Sequence, residues 1–474
     1  MMASAAMRSD LRAIDDLTLQ LSMITADMLC GRFSGVGAPP QVGIRCDGRH
    51  WASVPVTTDD TGAHFTCQLP PAAWPQSTKV EIRSVSGEDL YGSFTAPTRK
   101  PITNLHGLGA IDVLKHHPLP FSAVPYMSFD GARLVVTGEH LPPAGDPGAL
   151  TVVFGPGVAY EFKYPLPSMA FGNHFWYWPN AHLSAFQLII DLPACAPGSD
   201  PFRFRFEYSN GNPLDPTALQ VGDVLGRQVF IPPRLDAGIG LPRDNTQLTR
   251  VQTWSSDQSV TVTGYNAFRA IEALLARHGV THGPEVTILD WGCGHGRVTR
   301  HFLQNWPQAR IHGTDIDGEN IAWCQRNLTA GSFATAPLVP PTEYPAASLD
   351  GVFGISVMTH LTAEVQAAWL DEFARLLKPE GIALITFGGK GAAAWSTVFR
   401  GRDWWERWLE TEFDDHQLDA ALDGKIADKT YYRHTAQTAE YTQGFWSKHL
   451  EILEIIPDYI GNLDVAVMRK RRQS

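Results

Sequence analysis

The sequence has no Cys-x-x-Cys pair, no surplus of basic side chains and no apolar run long enough to cross a bilayer. Each absence removes a class of function. The six cysteines (Cys30, Cys46, Cys67, Cys195, Cys293 and Cys324) are scattered, so a structural zinc site is not expected, and the thiols read as the reduced ones of a cytoplasmic protein. Lys and Arg number 38 against 49 Asp and Glu, a formal net charge of −11. No broad basic surface is available to grip a phosphate backbone, and nucleic acid is not expected as the substrate. No uninterrupted apolar stretch approaches the roughly 20 residues of a membrane-spanning helix, and no cluster of carboxylates suggests a metal site. At the start of the chain, Asp10, Arg12, Asp15 and Asp16 interrupt the apolar residues. This reads as a short amphipathic helix over residues 1–21, not as a secretory leader.

What is present suits globular packing. Apolar residues make up 44% of the 474 positions and charged residues 18%, and the length predicts roughly three domains. The texture changes near residue 232. Before it, short alternating runs such as Gln41-Val42-Gly43-Ile44-Arg45, Lys79-Val80-Glu81-Ile82-Arg83 and Arg133-Leu134-Val135-Val136-Thr137 lie between Gly, Pro, Asn and Asp, which is strand-and-turn chemistry. After Pro232-Pro233 and Pro242, helical patterns alternate with strands, as in an α/β domain.

The β half repeats a pattern. A strand ending in Leu69-Pro70 is followed by an alternating strand closed at Gly87, and a strand ending in Leu192-Pro193 by one closed at Gly211. The spacing predicts two β-sandwich-like modules, over residues 22–105 and 106–235, ahead of an α/β domain over residues 236–474. The stretch Phe171 to Trp178 is rich in aromatics. It is open to two readings, stacking on sugar rings or packing against the rest of the chain.

The chemistry lies in one segment. Val286-Thr287-Ile288-Leu289-Asp290 is an apolar run ending in an acid, and it leads into Trp291-Gly292-Cys293-Gly294-His295-Gly296-Arg297 and a helical pattern. Strand, glycine loop and helix let backbone approach a ligand closely at a helix N-terminus. The next apolar run ends in Asp315, 19 positions after Gly296 (315 − 296), and an acid there can accept hydrogen bonds from both hydroxyls of a ribose. A dinucleotide loop would read GxGxxG, but Arg297 follows Gly296 here. Asp290 also sits badly beside a pyrophosphate and suits a ligand with a cationic amino-acid end. Both features favour S-adenosylmethionine over a nicotinamide cofactor; a purely structural glycine turn is the remaining alternative.

These residues, with Asp315-Ile316-Asp317, Leu349-Asp350-Gly351-Val352-Phe353-Gly354-Ile355-Ser356-Val357, Thr359-His360-Leu361 and Leu376-Leu377-Lys378-Pro379-Glu380-Gly381, resemble the class I S-adenosylmethionine-dependent methyltransferases. The resemblance covers about residues 250–474. It implies a Rossmann-like domain with a mostly parallel seven-stranded sheet and S-adenosylmethionine as cofactor. By the same resemblance Asp290 anchors the methionine ammonium through the loop network, and Gly292, Cys293, Gly294 and Gly296 shape the floor. Asp315 holds the ribose, Ile316 and Asp317 follow it along the adenosine, Ile355 and Ser356 close the strand-four side, and Gly264 closes over the methionine end. Many family members place an acid against the adenine after the third strand; here Ser332-Phe333-Ala334-Thr335-Ala336 has none, which leaves Thr335 or a backbone group. The N-terminal half resembles, loosely, β modules of bacterial polysaccharide-assembly enzymes.

His360 is the candidate catalytic base, since imidazole titrates near neutrality and the residue follows strand four. The bland alternative is a wall of the cofactor pocket; His434 and His449, with Tyr431 and Tyr432 nearby, compete for the role. Thr362 is the expected N-cap of the following helix. An insertion at about 389–444, rich in Trp, Tyr, Asp and Arg, is expected to form a helical cap over the acceptor site. The expected function is methylation of an oxygen on a saccharide or other small molecule in bacterial polysaccharide biosynthesis. A natural-product or lipid acceptor, and a non-catalytic scaffold keeping the cofactor fold, are the alternatives. The expected partner is a small-molecule or glycan acceptor; the number of chains in the assembly is not written in the sequence.

Overall fold

The computed structural model describes residues 17–23, 28–35, 37–46, 48–59, 62–68, 78–96, 126–129, 132–140, 150–154, 158–168, 184–192, 201–208, 229–232, 240–242 and 257–471. The aromatic stretch at Phe171–Trp178 and residues 1–16 lie outside them.

The described residues within 1–105 and 165–184 form one compact unit. Its strands are β1 (Thr18–Met23), β2 (Met28–Ser34), β3 (Gln41–Cys46), β4 (Arg49–Pro55), β5 (Thr57–Asp59), β6 (Gly62–Gln68), β7 (Thr78–Arg83) and β8 (Leu90–Ala96). They make two four-stranded antiparallel sheets, in the orders β1-β2-β6-β5 and β4-β3-β7-β8. Alternate residues of both sheets, among them Leu19, Leu29, Phe65, Val42, Ile44, Val80 and Ile82, meet in one buried cluster, as the period of a strand requires. The helix expected over residues 1–21 is corrected at its end. Leu17 and Leu19 are both buried, a spacing of two that only an extended chain presents to one side.

The described residues within 106–164 and 185–474 form the second unit, so the change of texture near 232 is not a boundary between compact bodies. Its β part contains β9 (Tyr126–Phe129), β10 (Arg133–Glu139), β11 (Leu150–Phe154), β12 (Ala159–Leu166), β13 (Ala185–Asp191), β14 (Phe202–Tyr208) and β15 (Val229–Ile231). The sheets β12-β13-β10-β9 and β11-β14-β15 share the core of Leu134, Val136, Leu188, Phe204 and Phe206. In both β modules the two strands of the sequence repeat, β6 then β7 and β13 then β14, belong to different sheets. Each module also sets a glycine opposite a phenylalanine on the neighbouring strand, Gly31 against Phe65 and Gly138 against Phe186. A Cβ there would meet the ring at 2.2 and 2.6 Å.

Helix α1 (Asp257–Arg277) joins this β part to the α/β part. Val262 enters the β core, and the Asn266 side chain accepts from Phe230 N and donates to Phe230 O, at 2.9 and 2.8 Å. Then follow β16 (Thr287–Trp291), α2 (Thr299–Asn305), β17 (Arg310–Asp315), α3 (Gly318–Asn327), β18 (Ser332–Thr335), β19 (Leu349–Gly354), α4 (Ala363–Leu376), β20 (Leu377–Phe387), α5 (Lys390–Arg400), α6 (Arg402–Thr411), β21 (Phe413–Leu418), β22 (Arg433–Gln437), α7 (Ala439–Trp446), β23 (Glu451–Ile460) and β24 (Leu463–Arg469). The seven-stranded sheet runs β18-β17-β16-β19-β20-β24-β23. Its first five strands pair in parallel and the last two close it as an antiparallel hairpin. Neighbouring residues feed opposite cores: Ile288, Phe353, Ile382 and Leu384 on one face, Leu289, Val352, Ala383 and Ile385 on the other. A sheet buried on both sides needs such continuous apolar runs.

Candidate active site

The strand order leaves a crevice at the carboxyl ends of β16, β17 and β19, where the chain leaves β16 in one direction and β19 in the other. There the glycine loop turns with φ of 76°, 54° and 73° at Gly292, Gly294 and Gly296, a left-handed backbone that only glycine adopts without strain. Gly292 N and Cys293 N both donate to Thr314 O, at 2.7 and 2.9 Å, tying the loop to β17.

Asp315 ends β17, and its carboxylate organises the loop. Oδ2 accepts from Gly294 N and Oδ1 from Asp317 N, each at 2.8 Å. A carboxylate oxygen can accept more than one hydrogen bond. Asp317 caps α3, with Oδ1 accepting from Glu319 N at 3.0 Å. Asp290 is buried, and Thr299 Oγ1 donates to its Oδ2 at 2.5 Å. Burial pushes this carboxyl up to about 7, against the opposing pull of the Thr299 hydrogen bond and the Arg297 guanidinium. Burial also holds the Arg297 guanidinium below its ordinary value.

The cleft is lined by Asp290, Gly292, Cys293, Gly294, Asp315, Ile316, Asp317, Ile355, Ser356 and His360, all expected from sequence. Ser356 adopts φ of 58°, its N–H donating to Thr386 Oγ1 at 2.7 Å. Three expected residues are not brought into the cleft. Gly264 lies on α1 where a Cβ would stand 2.3 Å from Arg297 O, so it lets the helix pack on the back of the loop. A Cβ on Gly296 would stand 2.3 Å from Leu328 Cδ1, which makes this glycine a packing contact beneath the loop. Thr335 faces a separate cavity with Thr314, Ser332 and Tyr344. The cleft is met instead by Ala336, whose N–H donates to Asp315 O at 2.9 Å.

The insertion at 389–444 is not wholly helical. It contains α5 and α6, the antiparallel ribbon β21–β22 and most of α7. The ribbon is what reaches the cleft, through Leu422, Tyr431 and Tyr432 between its strands. Tyr431 Oη donates to Leu338 O at 2.5 Å, and Lys425 Nζ binds Glu319 Oε1 at 2.7 Å.

His360 lies in a short turn, Met358–His360, after β19. Its Nδ1 donates to the Arg433 carbonyl at 2.8 Å, and the ring stacks on Tyr432 with centroids 4.0 Å apart and planes at 11°. Burial holds its pKa down at about 4, although the Arg433 carbonyl and Asp419 pull the other way. The ring is therefore neutral at neutral pH, with Nδ1 carrying the proton and Nε2 the lone pair. His449 does not line the cleft; it pairs with Asp371 at 2.6 Å. Thr362 caps α4 as expected, accepting from Val365 N at 3.4 Å.

Sequence reasoning missed Arg297, Asn320, Trp369 and Leu422 in the lining, and named Tyr431 and Tyr432 only as neighbours of the competing histidines. For Arg297 a signal was available: a charge at the buried start of a helix, directly after a ligand loop, must meet a partner. Asn320 lies one turn beyond Asp317 on α3, whereas Trp369, Leu422, Tyr431 and Tyr432 come from other elements.

The residues fit a nucleoside that carries a positive amino-acid end and no phosphate. The glycine loop leaves no Cβ in the way, one acid stands on each side of it, and the buried guanidinium of Arg297 can meet a carboxylate. Residues 288–381 match the model of a methyltransferase domain, and such a domain binds S-adenosylmethionine. A trans-aconitate 2-methyltransferase from Azoarcus sp. (strain BH72) is 33% identical over 133 residues. That match takes in 28% of this chain and 50% of the relative, so the chain spans half the length of the curated relative. Among solved structures, a TehB-like S-adenosylmethionine-dependent methyltransferase from Corynebacterium glutamicum is 21% identical, covering 44% of this chain and 88% of that one, with a TM-score of 0.25. A 1,6-didemethyltoxoflavin-N1-methyltransferase from Burkholderia thailandensis is 18% identical, covering 50% and 93%, with a TM-score of 0.30.

Proposed function

We propose that this chain, which carries a methyltransferase domain over residues 288–381, methylates an oxygen of a saccharide or another small molecule, in the cytoplasm and in bacterial polysaccharide biosynthesis. The observation that carries the reading is one cleft holding the glycine loop, Asp315 and a neutral His360 together. Bound there, S-adenosylmethionine supplies an electrophilic methyl group on a sulfonium sulfur.

Each residue then has a task. The Asp315 oxygens, already fixed by two amides, accept from the ribose hydroxyls. Asp290 and the loop around it receive the ammonium, and Arg297 the carboxylate. Ile316 and Ala336 flank the adenine. Methyl transfer depends mainly on holding the acceptor oxygen in line with the methyl and the sulfur. Tyr432 and Leu422 of the cap shape that acceptor side, and the cap excludes water. His360 Nε2 takes the hydroxyl proton as the new bond forms.

The acceptor named for the curated relative, trans-aconitate, is a polyanion. On the cap side of this cleft Asp419 stands near His360, and the Arg433 guanidinium is engaged by the Thr430 and Asp415 carbonyls. A polyhydroxylated acceptor suits that surface better. The saccharide is further supported by the paired β modules, which we take as sandwich-like attachments of the kind used around glycans.

Calorimetric titration with S-adenosylmethionine and S-adenosylhomocysteine tests the cofactor, and a screen of nucleotide sugars and oligosaccharides with radiolabelled methyl tests the acceptor. Micromolar binding followed by label transfer to a sugar hydroxyl is expected. A folded protein that binds neither compound is a scaffold, and label on a lipid or aromatic acceptor alone overturns the saccharide.

A further inference from the structure

Methyl transfer to a hydroxyl releases one proton, and His360, where the proposed function puts it, is largely closed off, its side chain 18% exposed. The cap sets a carboxylate and a second imidazole beside it. Asp419 Oδ2 lies 3.7 Å from His360 Nδ1 and 3.7 Å from His434 Nε2, so one carboxylate oxygen stands between two imidazoles. Along this line side-chain exposure goes from 18% at His360 to 15% at Asp419 and 46% at His434. The carboxylate is aimed by its other oxygen, since Asp419 Oδ1 accepts from Ala421 N at 2.9 Å. The His360 ring is held by the Tyr432 stack and the Arg433 carbonyl.

We propose that Asp419 and His434 form the outlet by which the proton taken up at His360 leaves the acceptor pocket for solvent. The inference rests on the hydroxyl-methylation reading above. The acceptor O–H bond breaks, its electron pair forms the new C–O bond to the methyl, and its proton goes to His360 Nε2. Each 3.7 Å gap is wider than a hydrogen bond, so the transfer needs a side-chain shift: the imidazolium turns its Nδ1 proton from the Arg433 carbonyl to Asp419 Oδ2, and the carboxyl then passes it to His434 Nε2 and on to water. His360 is left protonated at Nε2 and returns to its Nδ1–H form by exchange with solvent when product departs. The titratable groups facing His360 are Asp419, His434 and Tyr432 from the ribbon, with Asp315 lining the same cleft from β17. The charge on Asp419 favours the imidazolium while it lasts, and the exposed ring beyond it keeps the proton from being trapped. Asp419 is a positioning residue here, acting through His360.

The test uses full-length protein labelled with ¹⁵N at histidine, with and without S-adenosylhomocysteine, and reads solvent exchange of the His360 Nδ1 proton by NMR. H434Q and D419N are each expected to slow that exchange about tenfold, with the Nδ1–H tautomer retained, and D419E to restore it. His434 is exposed, so H434Q carries the test if D419N does not fold. An unchanged exchange rate in H434Q overturns the outlet. Absence of S-adenosylhomocysteine binding overturns the methyltransferase reading as well, whereas binding with unaltered exchange removes the outlet alone.

Discussion

Cofactor binding should be linked to a proton at Asp290. Burial holds this carboxyl at about 7, so in the ligand-free protein it is half protonated at neutral pH. A cationic ligand within reach favours the ionised form, and binding must then expel the proton. At pH 6 a group with a pKa of about 7 is ionised in about one molecule in eleven, so affinity falls about tenfold below its plateau, or about 1.4 kcal/mol. Above pH 8 the α-amino group of the ligand begins to lose its own charge, and affinity falls again. Calorimetry between pH 5.5 and 8.5, in buffers of different ionisation enthalpy, reads both the slope and the proton released. D290N should bind more weakly and show no slope below pH 7. The stability sign is opposite. A carboxyl whose folded pKa is raised stabilises the fold fully below its unfolded pKa, and that contribution is lost as pH rises through about 7. The substitution should therefore leave the ligand-free fold equal or more stable at pH 8. A wild-type affinity that is flat from pH 6 to 7.5, or a slope that survives in D290N, refutes the reasoning.

Other expected outcomes follow from the same geometry. D315A removes the acceptor of two 2.8 Å hydrogen bonds from backbone amides along with the proposed ribose contact, and should weaken S-adenosylhomocysteine binding by about 100-fold or more, since bonds to charged groups contribute about 1.5–3 kcal/mol each; unchanged affinity in calorimetry removes the assignment. G264A sets a Cβ 2.3 Å from Arg297 O and should cost about 1–3 kcal/mol of stability, read as a lower urea midpoint, without a cofactor contact being lost. H360A should lower turnover about 100-fold or more while cofactor affinity stays within a few-fold; a variant of normal rate makes His360 a wall of the cleft.

Much of the fold and about half of the cleft were legible because their signals are local. The glycine loop must turn with positive φ wherever strand meets ligand, and Gly292, Gly294 and Gly296 do so. Asp315 ends its strand, and Thr362 caps its helix. The alternation of Val42 with Ile44 and of Leu134 with Val136 is enough to make strands. Thr335 illustrates where local reading ends. A strand sends successive residues to opposite sides, so one step of register exchanged Thr335 for Ala336 at the cleft. The first residues of β1 were read with the wrong period for a similar reason, since two buried leucines two apart say strand only once the sheet that buries them is known.

The sequence by itself determined the ligand loop, the acid that steadies it and the alternation of strand and helix, because each is specified by residues a few positions apart. Only the tertiary structure decided what surrounds them. Helix α1 packs on the second β module through Val262 and Asn266, so a compositional boundary is not a structural one. Gly264 packs against the Arg297 backbone and does not line the cleft. Tyr432, Asp419 and His434 gather about His360 from more than fifty residues away. Such contacts depend on how the ribbon β21–β22 folds back over the sheet, and no periodicity along the chain encodes the partner that a distant side chain will meet.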